Sequence, residues 1–231
     1  MKGRAPVSSS RDDPIEEVTT DEQGQIRERQ LKRQGKLVGE YTSYFGNGQI
    51  MVRMNFQNGL KDGETLSFYR NGQMREKGTF SKGRLTGEYI SYYENGQIRE
   101  RENYREGKLD GKYVLYFRNG QIKDEEHFKQ GRFDGFYISY YKTGQIKEQG
   151  CFKNDRRDGG YLAFFRDGRI KEKATYRAGR LVGKFTTFAA GSRQTEEPEM
   201  PLEFNECGEE ENLEEKNRMV DDLLKNLKYH D

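Results

Sequence analysis

An uninterrupted repeat of 24 residues organises this sequence. Glycine recurs at that spacing in seven successive copies, at Gly24, Gly48, Gly72, Gly96, Gly120, Gly144 and Gly168. An aromatic residue also stands in every copy, at Tyr44, Phe68, Tyr92, Tyr116, Tyr140, Phe164 and Phe188. A fixed period of this length is typical of repeat proteins in which each copy is one supersecondary unit. We therefore treat residues 22–190 as one repeat domain.

Each copy predicts a pair of antiparallel strands. In the copy that begins at Gly96, polar and apolar side chains alternate over residues 97–104 and 108–117, and the alternation stops at Glu106-Gly107 and Asn119-Gly120. Asn-Gly favours a type I′ turn, which joins the strands of a tight hairpin. Since one hairpin cannot bury its apolar side alone, the copies must stack. The sequence thus predicts an all-β repeat fold, an elongated single-layer antiparallel meander of seven 24-residue hairpin repeats.

Counting by twos assigns the side chains to two faces, provided that no bulge interrupts a strand. One face, called here the aromatic face, receives Leu109, Gly111, Tyr113, Leu115 and Phe117, with Ile98, Glu100, Glu102 and Tyr104. The opposite parity of the shorter strand is basic and is called here the basic stripe; it comprises Arg75, Lys77, Arg99, Arg101, Lys147, Lys171 and Lys173. A carboxylate recurs at Glu28, Glu76, Glu100, Asp124, Glu148 and Glu172, and we expect it to bond a Tyr hydroxyl or a neighbouring cation.

The flanking segments differ from the repeats in charge and pattern. Residues 22–190 carry a net charge of +12, whereas residues 191–231 hold 5 basic and 13 acidic side chains. We expect residues 1–21 to be a disordered arm, residues 191–209 an acidic linker and residues 210–229 an amphipathic helix. The apolar side of that helix is formed by Leu213, Val220, Leu223, Leu224 and Leu227. It either docks on the aromatic face or binds a partner, or the acidic tail occupies the basic stripe.

The pattern over residues 87–111, from G-E-Y-I-S-Y-Y-E-N-G-Q-I-R-E to the closing D-G, resembles the MORN-repeat variant of bacterial antitoxin proteins. The resemblance extends over residues 22–190. It implies a hairpin-stacked sheet that binds proteins, with a toxin as one such partner, or that attaches to membrane surfaces. Thr65, Val52, Lys32 and Ala189 depart from the pattern, and the last two lie in terminal copies, where capping repeats are atypical.

The inventory of reactive side chains argues against an enzyme. The chain has only two histidines, His127 and His230, and it has neither a phosphate-binding G-x-x-x-x-G-K-[ST] loop nor a G-x-G-x-x-G fingerprint. We therefore predict no catalytic, cofactor-binding or metal-binding residues. Cys151 and Cys207 lack metal-site spacing and are expected to be reduced thiols. With no apolar run of about 20 residues and no secretory signal at the start, we predict a cytoplasmic protein.

These observations together predict a non-catalytic, protein-binding repeat scaffold, with an antitoxin or immunity role suggested by the resemblance. The predicted partner-binding residues are Tyr92, Arg99, Arg101, Tyr116, Lys123, Tyr140 and Lys147. Tyrosine rings supply contact area at low entropic cost, and the cations orient the partner. The alternative is a peripheral membrane scaffold whose basic face binds anionic lipid headgroups. Nucleic acid is disfavoured because no groove-reading element is present, whereas exposed terminal strands permit a homo-oligomer.

Overall fold

A computed structural model describes residues 13–190, which form nineteen β-strands and no helix. By contact the chain divides into two compact units. The N-terminal unit comprises residues 13–98 and 104–107, and the C-terminal unit comprises residues 99–103 and 108–190. The strands, in chain order, are β1 (Ile15–Thr20), β2 (Ile26–Arg33), β3 (Lys36–Leu37), β4 (Gly39–Tyr44), β5 (Ile50–Gln57), β6 (Leu60–Phe68), β7 (Met74–Ser81), β8 (Arg84–Tyr92), β9 (Ile98–Arg105), β10 (Lys108–Leu109), β11 (Gly111–Tyr116), β12 (Ile122–Lys129), β13 (Arg132–Phe133), β14 (Gly135–Tyr140), β15 (Ile146–Lys153), β16 (Arg156–Phe164), β17 (Ile170–Arg177), β18 (Arg180–Leu181) and β19 (Thr186–Thr187).

Each unit is an antiparallel meander in which successive strands pair. In the N-terminal unit β1 pairs with β2, β2 with β3 and β4, and the pairing then runs in order from β4 to β8. In the C-terminal unit β9 pairs with β11, and the order continues through β12, β14, β15, β16 and β17 to β19. The all-β antiparallel prediction is confirmed. Several long strands are split in two, which is why more strands occur than two per copy.

Residues Ile15–Thr20, at the end of the predicted disordered arm, form a strand. Strand β1 pairs with β2 in continuous register from Ile15 opposite Lys32 to Thr19 opposite Glu28. Its acidic side chains meet the basic side chains of β2, and Lys32 Nζ lies 2.7 Å from Glu17 Oε2. Periodicity does not reveal this strand in the sequence, because all six of its residues are exposed and no apolar side alternates with a polar one. Within residues 13–190 the sheet therefore starts at Ile15 instead of residue 22.

The type I′ geometry predicted for the Asn-Gly turns occurs instead at the other turn of each copy. Both central residues have positive φ at the other turn, for example Lys82 at 49° and Gly83 at 80°, with Ser81 paired to Arg84 around them. That is the two-residue type I′ hairpin. At the Asn-Gly turns only the glycine has positive φ, and its amide donates to the carbonyl three residues back, as Gly72 does to Tyr69 at 2.9 Å. A type I turn followed by a left-handed glycine has this geometry.

A β-bulge inverts part of the predicted face assignment. In the pairing of β6 with β7, Ser67 stands opposite Glu76 but Phe68 stands opposite Met74, so Arg75 is an extra residue. The same register shift recurs at the corresponding residue in β2, β5, β12, β15 and β17. Because a one-residue insertion changes the face of everything beyond it, the isoleucine column leaves the aromatic face. We call the opposite side the isoleucine face.

A second irregularity lies at the glycine of each Asp-Gly step, where the sequence raised doubt about regular pairing. Between the pairs Phe56–Lys61 and Met54–Thr65, the three residues 62–64 face Asn55 alone. Gly63 there has φ 110°, a region that favours glycine. The insertion of two residues leaves the faces unchanged, so Tyr and Leu columns of the longer strand remain on the aromatic face as predicted.

The C-terminal unit has a buried cluster on each side of its sheet. Tyr137, Tyr161, Ala163 and Ala174 pack together on the aromatic face, with Phe133, Phe152 and Tyr176 around them. Cys151, Leu162, Phe164 and Ile170 pack on the isoleucine face, flanked by Phe136, Ile146 and Phe188. In the N-terminal unit the buried residues are instead Thr42, Ser43, Ser67 and Ser91, together with Gly78. The units thus share a fold but differ in their cores.

Cys151 is disulfide-bonded, so the expectation of a reduced thiol is wrong at this position. Its side chain lies in the isoleucine-face cluster and is 3% exposed. Spacing between cysteines in the sequence carries no information about a pair that is distant along the chain, which explains the error. The predicted acidic linker 191–209 and helix 210–229, with Leu213, Val220, Leu223, Leu224 and Leu227, lie outside the described residues.

Candidate protein-binding faces

Rings of adjacent strands pack against one another on the aromatic face of each unit. In the N-terminal unit Tyr41 meets Phe56 edge-on at 6.2 Å between centroids, and Tyr89 meets Tyr104 at 6.3 Å. In the C-terminal unit Phe133 stacks on Phe152 at 4.1 Å. Such contacts contribute about 0.5–1.5 kcal/mol each beyond burial. The aromatic face is therefore occupied largely by packing within the sheet.

The carboxylate column binds the tyrosine hydroxyls of this face, as the sequence predicted. Tyr161 Oη donates to Glu148 Oε2 at 3.0 Å, and Tyr113 Oη donates to Glu100 Oε2 at 3.3 Å. Burial, followed by the Glu148 carboxylate, raises the pKa of Tyr161 above its usual range. A protonated hydroxyl that donates to a carboxylate stays neutral to higher pH. The carboxylates of this column thus have partners within the sheet.

The basic stripe is divided between the two faces. Its members at the bulge reach the carboxylate column on the aromatic face, as Arg75 Nε does to Glu76 at 3.3 Å. Its other members stand opposite an apolar residue of the isoleucine face, with Lys77 opposite Leu66, Arg101 opposite Val114 and Lys173 opposite Leu162. The prediction of one continuous basic face is therefore wrong, because the bulge separates residues that are two apart in sequence.

The isoleucine face of the N-terminal unit is an apolar surface bordered by ion pairs. Most of its apolar side chains are half-buried, among them Tyr44, Ile50, Leu66, Phe68, Met74, Ile90 and Tyr92. Lys77 Nζ lies 3.2 Å from Glu64 Oε1, and Arg53 Nε lies 3.8 Å from Glu40 Oε1. All four of these charged side chains remain between 42% and 56% exposed. Partly exposed rings and aliphatic groups within a polar border are typical of a protein-binding surface.

The structure distributes the predicted partner-binding residues over both faces. Tyr92 lies in the N-terminal unit, and Tyr116 and Tyr140 lie in the C-terminal unit, all on the isoleucine face. Arg101 is on the same face, opposite Val114. The bulge-position residues reach the other side, since Arg99 pairs with Glu100 at 2.5 Å and Lys123 with Asp124 at 3.4 Å. Lys147 occupies the same bulge position and is exposed.

Glu125 connects two residues of the C-terminal isoleucine face. Glu125 is buried; its carboxylate accepts a bond from Tyr140 Oη at 3.0 Å and lies 2.6 Å from Lys112 Nζ. Burial, followed by the Glu125 carboxylate, raises the pKa of the Tyr140 hydroxyl. Tyr140 is therefore held within the sheet by its hydroxyl. In the sequence, Glu125 stands at a position where the neighbouring copies contribute Lys77 and Arg101 to the basic stripe. That departure was the sequence signal for this network.

Sequence reasoning missed the contacts that tie neighbouring copies together at the Asn-Gly end. Tyr69 Oη donates to the Tyr92 carbonyl at 2.6 Å, and Tyr141 Oη donates to the Phe164 carbonyl at 2.8 Å. The Arg166 guanidinium lies 5.7 Å from the centre of the Tyr141 ring. The recurrence of an aromatic followed by a basic residue before the turn was the available signal.

Five copies of the repeat match the MORN repeat variant, over residues 37–58, 61–82, 85–106, 109–130 and 134–154. Residues 37–154 therefore carry MORN-variant repeats. Repeats of this class generally bind proteins or membranes. Among residues 13–190 there is no helix that could cross a membrane, and no group of three His, Cys, Asp or Glu side chains that could hold a metal ion.

No curated protein matches this chain. Solved structures with some likeness include a GtfA/B complex bound to UDP and GlcNAc, with 14% identity over 62% of this chain and 25% of that one, at TM-score 0.20. A TcdB2-TccC3 structure shows 10% identity over 76% of this chain and 13% of the other, at TM-score 0.18. A Bacteroides fragilis protein of unknown function, BF3112, shows 9% identity over 73% and 95%, at TM-score 0.12. The chain thus spans a quarter of the first structure, and these likenesses carry no argument about function.

Proposed function

We propose that this protein is a non-catalytic scaffold that binds another protein through the isoleucine face of its N-terminal unit. The observation that supports this best is the half-buried row of aromatic and aliphatic side chains on that face, including Leu66, Phe68 and Tyr92. Rings and aliphatic groups that are half-exposed in the free protein gain burial when a partner covers them. The partner surface we expect has an apolar centre and charges of both signs.

The charges on this face favour a protein over an anionic membrane. Arg53 and Lys77 each have a carboxylate within 4 Å on the same face, so the surface carries little net positive charge. Headgroup adhesion gains about 1 kcal/mol for each well-placed basic residue, and a paired cation contributes less. A peripheral membrane scaffold therefore remains the second candidate, supported by the class of repeat and by the basic character of residues 22–190.

Two substitutions in one strand test the proposed face. Lys77→Glu reverses a charge on the isoleucine face, whereas Arg75→Glu makes the same change two residues away at the bulge, beside the aromatic-face carboxylate. The full chain and both variants are immobilised and exposed to extract from the source cells, and captured proteins are quantified by mass spectrometry. We expect one protein whose capture falls at least fivefold with Lys77→Glu and remains within twofold of the unmodified chain with Arg75→Glu. Equal loss with both variants would contradict the assignment of the face.

The membrane alternative is tested with vesicles of phosphatidylcholine and phosphatidylserine at low salt. If the protein is a protein-binding scaffold, the full chain stays in the supernatant when these vesicles are sedimented. Sedimentation that is abolished by added salt would support headgroup binding and overturn our proposal.

A finer role as an antitoxin or immunity protein is supported only by the resemblance of its repeats. If the protein neutralises a toxin encoded beside it, co-expression restores growth of cells that produce the toxin. Lys77→Glu should then lose this protection while Arg75→Glu retains it. No rescue by the unmodified chain would remove the antitoxin role and leave the binding scaffold intact.

A further inference from the structure

The isoleucine face of the C-terminal unit is buried more deeply than one sheet accounts for. Leu162, Gln149 and Ile138 are opposite one another on adjacent strands of this face and are 1%, 1% and 2% exposed. Small side chains such as Thr42 and Ser91 are shielded by larger neighbours on the same face, but side chains as large as leucine, isoleucine and glutamine lose nearly all contact with water when a second layer covers them. All strands within residues 99–103 and 108–190 belong to one antiparallel sheet, so a covering layer does not come from them.

The neighbours of these residues within the sheet shield them only from the side. Phe136 and Phe188 pack against the cluster of Cys151, Leu162, Phe164 and Ile170. Gln149 has an amide oxygen with no hydrogen-bond partner and an almost completely buried side chain. An uncovered amide would lie in water, so this buried oxygen also indicates a cover.

The disulfide bond of Cys151 indicates which segment lies against this face. It stands opposite Phe136 on the isoleucine face, packs against Leu162 and is disulfide-bonded. The chain contains two cysteines, and the other is Cys207. A disulfide requires Cα atoms within about 7 Å of each other. A bond between these two residues places the acidic tail directly over the buried cluster.

The tail is long enough and has the composition to cover the cluster. Sixteen residues, 191–206, separate the end of the described sheet from Cys207. An extended segment of that length reaches about 50 Å, whereas β15 lies three strand positions, or about 15 Å, from β19. Beyond Cys207, the apolar residues Leu213, Val220, Leu223, Leu224 and Leu227 recur near helical spacing. That segment needs an apolar surface, and the sheet needs a cover.

We propose that residues 191–231 of the same chain cover the isoleucine face of the C-terminal unit, fastened by a Cys151–Cys207 disulfide. Docking on the aromatic face was one of the alternatives that the sequence left open, and the location of Cys151 moves the docking site to the opposite side. Oxidised glutathione, as the oxidant, forms a mixed disulfide with the Cys207 thiolate and releases one glutathione thiol. The Cys151 thiolate then displaces the second glutathione thiol, so two cysteine thiols lose two electrons and two protons in total.

Peptide mapping of the full chain without reductant tests the fastening. After equilibration with oxidised glutathione, we expect one cross-linked peptide pair containing Cys151 and Cys207 in a protein of monomer mass. A Cys151–Cys151 link, or a Cys151–Cys207 link in a covalent dimer, would show that a second copy is the occupant and overturn the proposal. Two free thiols after the same treatment would also overturn it.

A matched set of full-length variants tests the cover itself. In Cys207→Ser the Cys151 thiol is free, and its rate of alkylation by iodoacetamide reports how often the cover lifts. We expect Leu223→Asp with Leu224→Asp in that background to raise the rate at least tenfold, because the apolar side of the tail is lost. Asn217→Asp with Asn226→Asp adds the same two charges without removing apolar groups and should change the rate less than twofold. Equal rates in all three proteins, with unchanged circular dichroism, would contradict a docked tail.

Discussion

Leu66 and Leu162 occupy the same place in two copies of the repeat and lie in different surroundings. Each is opposite a lysine of the next strand, Lys77 for the first and Lys173 for the second. Leu66 in the N-terminal unit is half-buried, whereas Leu162 in the C-terminal unit is 1% exposed. Identical register with different burial shows that the repeat determines the direction of a side chain but leaves open what covers it. The N-terminal isoleucine face is available to a partner, and the C-terminal one is already covered.

Truncation of these two leucines should give the largest difference between the units. Leu162→Ala leaves a cavity in a filled cluster and should lower the free energy of unfolding by about 3 kcal/mol. Leu66→Ala removes a side chain that already contacts water and should cost about 1 kcal/mol. Urea unfolding followed by circular dichroism measures both. Equal losses would show that the two faces are equally covered.

Added volume at the glycines of the shorter strand should give the next largest difference. A Cβ at Gly150 would lie 2.8 Å from Tyr137 Cε1 and 3.2 Å from the Gly160 carbonyl oxygen, whereas a Cβ at Gly78 would lie 2.9 Å from Tyr89 Cδ2 and 3.0 Å from Leu85 Cδ1. The backbone oxygen and the buried ring cannot move away, so Gly150→Ala should lose about 2 kcal/mol. Gly78→Ala meets half-buried side chains and should lose about 1 kcal/mol. Thermal unfolding separates the two, and a larger loss at Gly78 would be inconsistent with the packing described.

Removal of one hydroxyl from neighbouring tyrosines should give a smaller difference, within the C-terminal unit. Tyr161 Oη donates to Glu148, while the buried Tyr137 Oη has no hydrogen-bond partner. Tyr161→Phe should therefore lower the free energy of unfolding by about 1 kcal/mol, and Tyr137→Phe should leave it unchanged or raise it slightly. The pair is measured at neutral pH in urea. A loss with Tyr137→Phe and none with Tyr161→Phe would contradict this assignment of the unpaired hydroxyl to Tyr137.

The ion pairs of the isoleucine faces should differ least. Lys77–Glu64 in the N-terminal unit joins side chains that are 50% and 48% exposed, whereas the Glu125 partner of Lys112 in the C-terminal unit is 10% exposed. A double-mutant cycle with Lys→Met and Glu→Gln should give about 0.3 kcal/mol for the first pair and about 1 kcal/mol for the second. Stronger coupling in the exposed pair would remove this contrast between the units.

The buried tyrosines should also make stability depend on pH, but only in alkaline solution. Burial raises the pKa of Tyr113, Tyr137, Tyr140 and Tyr161, all in the C-terminal unit. Above about pH 10 the unfolded chain loses these protons while the folded chain keeps them, so the free energy of unfolding should fall as pH rises through that range. Tyr161→Phe should make the fall shallower. An unfolding free energy that is constant from pH 9 to pH 11 would contradict the burial of these rings.

The period of the glycines and aromatic residues was enough to predict the hairpins, their antiparallel order and the carboxylate partners of the tyrosines. These features follow from the repeat alone, since turn chemistry and alternation are local. The face of the Ile column could not be predicted by counting, because one bulge residue, such as Arg75, inverts everything beyond it. Adjacent opposite charges such as Arg75-Glu76 and Lys171-Glu172 were a signal of that bulge, since in regular strands they would point to opposite faces.

The contrast between the two units could not be predicted from the repeat either. Leu66 and Leu162 are the same residue in the same register, so burial of the second depends on contacts distant in sequence. The Cys151 disulfide could not be predicted for the same reason, because its formation depends on three-dimensional proximity. The candidate residue Arg101 was assigned to a face that does carry it, whereas Arg99 was grouped with Arg101 only because no bulge was included.

Hydroxyl-radical footprinting of the unmodified full chain tests most directly whether the isoleucine face is open in one unit and covered in the other. Mass spectrometry then compares oxidation of Leu66, Phe68 and Ile90 with oxidation of Leu162, Phe164 and Ile138, their counterparts two or more copies later. We expect the N-terminal set to be labelled at least ten times faster than the C-terminal set. Equal labelling of the two sets would contradict the account.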